Sequence, residues 1–194
     1  MICEASRQAT EWRSAGRDIH MSLNIPPDTC QQIGAAAIAD MIESAGCQLS
    51  RITLEMTESA TMVPRPGLKE EIDALAALGI QLAIDDFGTG HSSLARLGEF
   101  PARFLKIDRS FVRGLPDARA ARTLVNAIMY LAKGFGLVVV AEGVETEAQR
   151  DFLLGADCQY AQGYLFSPPV VPAEISALWP AASENASRLD AIPQ

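Results

Sequence analysis

Six times along this chain a glycine is followed by a short, β-prone apolar run, and each run delivers a polar residue six to nine positions after its glycine. The glycines are Gly16, Gly46, Gly79, Gly98, Gly136 and Gly155; the polar residues are Asn24, Glu55, Asp85, Lys106, Glu142 and Gln162. Ahead of each glycine the sequence reads as helix, and glycine commonly closes a helix. Residues 66–78 place Leu68, Ile72, Leu75 and Ala76 on one face, and residues 119–135 carry a stripe of Leu124, Val125, Ile128, Leu131 and Ala132. Thr146 and Gln149 have the spacing of a capping box for a short helix ending at Gly155. The runs expected as strands are 19–25, 52–57, 82–86, 104–108, 137–141 and 160–166. Repeated helix–glycine–strand phases build a largely parallel sheet with helical crossovers, so the fold class is α/β. Two architectures satisfy this: an open doubly wound sheet or a (β/α)8 barrel. No GxGxxG or GxxxxGK[ST] follows the early runs, and barrels present functional side chains at C-terminal strand ends, where these polar residues fall. The barrel is therefore the expected architecture.

A chain of 194 residues holds one such domain, and its 48% apolar and 21% charged residues are the balance of a globular protein. A net charge of −8 argues against a nucleic-acid polymer or an anionic membrane as the bulk partner, but not against a small anion held through metal ions. Cys3, Cys30, Cys47 and Cys158 form no CxxC pair and have only His20 and His91 to help them, which points away from zinc and toward free thiols in a cytoplasmic setting. No apolar run approaches membrane-spanning length. Residues 181–194 are polar and without periodicity, so the expected division is a domain over 1–180 and a mobile tail over 181–194.

If Glu55, Asp85, Asp86, Asp108 and Glu142 converge on one barrel mouth, their mutual repulsion requires protonation or a cation between them. Oxygen donors with an Asn amide, and neither His nor Cys, suit Mg²⁺ or Mn²⁺. Neighbouring strand residues face opposite ways, so Asp85 and Asp86 serve one site only where the strand ends and turns, for which Gly88 and Gly90 are at hand. Lys106 and Asp108, two apart, share a strand face, and the lysine is placed to hold an attacking water. Glu142 and Glu145 straddle the Gly143 turn. Such a set suits two-metal hydrolysis of a phosphodiester. Each group alone reads more simply: a single strand-end carboxylate is usually a helix cap or a solvated turn residue. Recurrence at six equivalent positions carries the stronger reading.

The strings SLNIPP, LEMTES, IDDFGTGHSSL, LKIDRSFV, VVAEGVET and AQGYLFSPP, in this order, resemble the motifs of the EAL family of cyclic di-GMP phosphodiesterases; the opening ICEASRQATEWRSAG resembles the helix before that family's first Asn strand. The resemblance implies a variant (β/α)8 barrel and hydrolysis of the signalling nucleotide cyclic di-GMP to its linear form. It also implies that Asn24, Glu55 and Asp85 hold one metal, and that Asp85 with Asp86 holds a second. Glu142 becomes a metal ligand near the attacking water, Lys106 positions that water, and Asp108 is its companion. Glu145 and Gln162 stand behind the ligands or on the substrate side, and Glu58 steadies the loop after the Asp-Asp strand. His91 stands where the family usually has Tyr. Complete members carry two further upstream strands, one ending in Gln-Pro and one bearing the Glu-Ala-Leu metal ligand. About six of eight strands are therefore expected here, with an open edge that invites a homodimer and with binding surviving better than turnover. Two other functions fit parts of the pattern. One is a non-catalytic module binding cyclic di-GMP or a protein; the other is an enolase-like barrel using Lys106 as base.

Overall fold

Alternation along the strands decides which side chains enter the site. In the segment ITLEMT, Ile52, Leu54 and Met56 are buried on one face while Thr53 and Glu55 occupy the other. The same division separates Leu105 and Ile107 from Phe104 and Lys106. Residues 1–62, 65–90 and 97–178 are described in this computed structural model; His91, the Ser-Ser-Leu that follows it and the 181–194 tail lie outside the described residues.

The six runs form six parallel strands in sequential order: β1 (Met21–Asn24), β2 (Ile52–Thr57), β3 (Gln81–Phe87), β4 (Phe104–Ile107), β5 (Val138–Ala141) and β6 (Tyr160–Ala161). Helices Ala35–Ser44, Leu68–Ala77, Arg119–Phe135 and Glu147–Gly155 lie in the crossovers. The sheet curls into half of a (β/α)8-type barrel, with β1 and β6 as its two edges. Outward apolar residues of the strands pack under the helices in two clusters. One centres on Ile38, Ile42, Ile52, Leu54 and Leu75, and the other on Ile84, Leu105, Ile107, Val125 and Leu153. Fully burying each such side chain contributes about 1.5–3 kcal/mol. A third, smaller cluster joins Trp12 of the first helix (Ile2–Ser14) and Ile19 to Ile175 of the last (Pro172–Leu178). Among the described residues no helix is long and apolar enough to cross a membrane.

The capping box is present in full: Thr146 accepts from the Gln149 backbone, and the Gln149 side chain accepts from the Thr146 backbone. The helix ends at Gly155 as expected, and Asp157 takes the left-handed turn beyond it (φ 60°). Two local readings differ. Leu124 is 38% exposed, because the packed face of its helix is Val125, Ile128 and Ala132. The sixth strand is two residues long rather than seven, because the Gly163 carbonyl accepts from both Phe166 (3.0 Å) and Ser167 (3.3 Å) and folds the chain over.

That turn is pressed against the β5 exit. Val144 donates to the Gln162 carbonyl and accepts from Leu165, each at 3.0 Å. A Cβ on Gly163 (φ 149°) would lie 2.3 Å from the Val144 nitrogen and 2.4 Å from its oxygen. Gly163→Ala is therefore expected to cost roughly 1–3 kcal/mol, read as a lowered urea midpoint; an unchanged midpoint would show that the two loops do not depend on each other.

Candidate metal centre

Lys106 points into the barrel from the third residue of β4, and its Nζ stands between carboxylates from three other strands or their ends. It lies 2.6 Å from Glu55 Oε2, 2.6 Å from Glu142 Oε1 and 3.1 Å from Asp85 Oδ1. Strand register brings these groups level: Glu55 pairs with Ala83, Ala83 with Phe104, and Lys106 with Val140. Glu55, Asp85 and Lys106 are 6%, 8% and 3% exposed, so the cluster is shielded from water. Burial alone would pull the Lys106 ammonium down, but Glu55 and Glu142 outweigh it and the net shift is upward. A lysine surrounded in this way is favoured as a hydrogen-bond donor, the opposite of what an enolase-like base requires.

The paired aspartates reach one site by a device the sequence did not disclose. Ile84 pairs with Leu105, yet Phe87 rather than Asp86 pairs with Ile107, so β3 carries one extra residue. This β-bulge falls at Asp85–Asp86, with Asp86 in the left-handed region (φ 56°). Phe87 thereby stays buried on the helix side while both carboxylates serve the inner face. Oxygens of Asp85, Asp86 and Glu142 lie within 4.8 Å of one another. The bend thus occurs inside the strand, ahead of the Gly88 and Gly90 turn expected to provide it.

Glu58, 1% exposed at the end of β2, accepts the Gly88 N–H at 2.5 Å and ties the segment after the bulge to the β2 exit. Gln162 donates to Glu142 Oε1 at 2.8 Å and fixes that carboxylate from β6. The remaining expected residues are placed less centrally. Asn24 ends β1 in register with Glu55 and is exposed. Asp108 follows the last residue of β4 and caps the helix Arg109–Val112, accepting from Ser110 N–H at 3.0 Å. It still faces the cluster closely enough to raise Asp86. Glu145 is exposed, and its backbone donates to Gln149 Oε1. Below Lys106 the concave face is floored by His20, whose Nε2 is 2.7 Å from Thr53 Oγ1, and by Phe104, edge-on to both His20 and Tyr160. Neither His20 nor Phe104 reads as part of this site in the sequence, because aromatic residues at strand starts read as ordinary core.

Burial pushes the Glu142 carboxyl up, against the pull of Lys106 and with help from Asp85 and Glu55. Asp86 is also raised, first by burial and then by Asp85 and Asp108, while Lys106 and Arg109 draw it down. Four carboxylates around one ammonium leave uncompensated negative charge in a poorly hydrated place. The donor set is all oxygen, so it fits hard divalent cations of the Mg²⁺ and Mn²⁺ kind. Asp85, Asp86 and Glu142 could together hold such an ion.

Comparison with known proteins places this geometry among relatives. The family model of the EAL domain matches residues 1–169. The chain is 37% identical over 200 residues to the cyclic di-GMP phosphodiesterase NbdA of Pseudomonas aeruginosa, covering 96% of this chain and 25% of that protein. It superposes on the crystal structure of the EAL domain of Mycobacterium smegmatis DcpA with a TM-score of 0.85 at 37% identity, covering 91% of this chain and 81% of that one. The Klebsiella pneumoniae BlrP1 manganese/cy-diGMP complex matches with a TM-score of 0.80 at 27% identity, covering 88% and 43%. The chain spans about a quarter of the length of the curated relatives it matches, 22% in one and 25% in another.

Removing the ammonium should expose the conflict among the acids. Lys106→Met leaves buried carboxylates without their counter-charge and is expected to destabilise the metal-free protein by about 3–5 kcal/mol. Added Mn²⁺ should raise the melting temperature of Lys106→Met more than that of the parent. Equal melting of both proteins without metal would contradict the central role of this contact.

Proposed function

Since the chain belongs to the EAL domain family, we propose that it is a metal-dependent phosphodiesterase that opens cyclic di-GMP to the linear dinucleotide. The observation that carries this reading is the meeting of Asp85, Asp86 and Glu142 around the protonated Lys106. A cyclic dinucleotide has two phosphodiesters and little else that is charged, so a site for it needs cations set in an acidic cradle. The names of relatives and neighbours that act on or bind cyclic di-GMP support the same substrate.

Asp85, Asp86 and Glu142 would hold the ions, with Glu55 and Asn24 next to them at the ends of β2 and β1. Bound there, Mg²⁺ or Mn²⁺ supplies positive charge against the phosphoryl oxygens and acidifies the attacking water. The chain's own groups do the positioning. Lys106 remains an ammonium and donates, so it orients the water and stabilises developing negative charge. Gln162 keeps Glu142 from rotating away, and Glu58 keeps the segment after the bulge in place. The floor of His20, Thr53 and Phe104 closes the cluster from below. Glu145, exposed beyond the Gly143 turn, is left to face the substrate.

Chromatography of nucleotide products tests the reading. Slow, metal-dependent formation of linear dinucleotide is expected from the chain, with metal-dependent binding of cyclic di-GMP retained more fully than turnover, and abolition of product in Glu142→Ala. Gln162→Ala, which removes a group behind a ligand, should lose roughly 10- to 100-fold. Metal-dependent binding of cyclic di-GMP with no product under Mg²⁺ or Mn²⁺ would overturn the hydrolase and leave a binding module.

A further inference from the structure

We infer that Arg109 is a substrate-binding residue, the cation at the rim of the carboxylate cluster that takes a phosphate oxygen of the anionic substrate. This rests on the phosphodiesterase reading and adds to it a group that the expected site residues do not include. Three observations place Arg109 there. It directly follows the Asp108 cap at the exit of β4, two residues beyond Ile107, on the side of the barrel where Asp86 and Glu142 open. Its stem lies on the turn that follows Glu142: a Cβ added to Gly143 (φ 66°) would sit 2.5 Å from Arg109 Cβ and 3.4 Å from its Cα. Its charge reaches Asp86.

The guanidinium is exposed, and it takes part in no ion pair among the described residues. Lys106, by contrast, is buried and already engaged with three carboxylates, whereas Arg109 stands at the surface. Arginine's planar fork of N–H groups matches phosphate oxygens in pairs. An acidic mouth repels an incoming dianion, and a fixed cation at its edge offsets that repulsion at the point of entry. Gly143 is what allows this placement, because any side chain there would displace the arginine stem.

The test compares the full chain with Arg109→Ala and Arg109→Lys. With Mn²⁺ present, Arg109→Ala should raise KM for cyclic di-GMP by roughly 10- to 100-fold while kcat stays within about threefold, and Arg109→Lys should fall between. Mn²⁺ affinity, measured by calorimetry without nucleotide, should be unchanged. An unchanged KM overturns the inference. So does a parallel loss of Mn²⁺ affinity, which would assign Arg109 to holding Asp86. Inorganic phosphate titrated against the Mn²⁺-loaded proteins gives an arm that does not depend on the substrate. If the parent chain neither binds nor hydrolyses cyclic di-GMP, the functional reading falls, and the phosphate arm still decides. Weaker phosphate binding in Arg109→Ala upholds the rim cation, and equal binding sinks it.

Discussion

Lys106 reaches Glu55, Asp85 and Glu142 from a single nitrogen, and those carboxylates come from β2, β3 and the end of β5. Without a cation, three acids this close and this dry would repel one another and drive their strand ends apart. With it, each neighbouring pair of central strands is pulled toward a shared centre. The contact is not free of cost, since a buried ion pair loses its hydration and regains it only through good geometry and further hydrogen bonds. Distances of 2.6 Å to two of the three acids, and the Gln162 donor on Glu142, meet that condition. Enough negative charge is left over to make the place hospitable to a divalent ion. The same lysine therefore holds the strand ends of the barrel mouth together without metal.

Around that centre the backbone does work that side chains alone could not. A regular strand would have sent Asp86 to the helix side and Phe87 to the barrel interior. One extra residue at the bulge reverses both, at the expense of a left-handed aspartate. Strain of this kind persists only where its surroundings hold it, and Glu58 is the holder, reaching from the end of β2 to the Gly88 N–H. A Cβ at Gly90 would lie 2.7 Å from the other Glu58 oxygen, so that segment closes tightly over the carboxylate.

Much of this was legible from residue order. The glycine phases gave the six strands, because period-two apolar runs after helix stops leave few alternatives. The capping box at Thr146 was found from two residues, since its hydrogen bonds are local. The inner cluster was foreseen as a set because each member sits at a strand end. What escaped was non-local or geometric. Nothing in LKID says that Lys106 will meet Glu55, 51 positions away, because that depends on register across two strands. The Asp-Asp bulge escaped because a bulge is defined by the partner strand as much as by its own residues. Spacing alone sets Asp108 beside Lys106 and says nothing of the cap it makes: β4 stops at Ile107, and Asp108 Oδ1 accepts from the first turn of the next helix while its charge still bears on Asp86.

The small cluster of Trp12, Ile19 and Ile175 joins the helix Ile2–Ser14 to the helix Pro172–Leu178, with all six strands between them in sequence. During vectorial synthesis the Trp12 side must therefore wait, its apolar surface uncovered, until Ile175 has left the ribosome. Closing so long a loop is entropically unfavourable yet grows only slowly with length, so the delay is one of timing more than of stability. For that interval the strands from β1 onward can assemble, while the seam between these two helices stays accessible to chaperones or to a second nascent chain. The helix Pro172–Leu178 is made after all six strands, so it can fasten this seam only once they have been made.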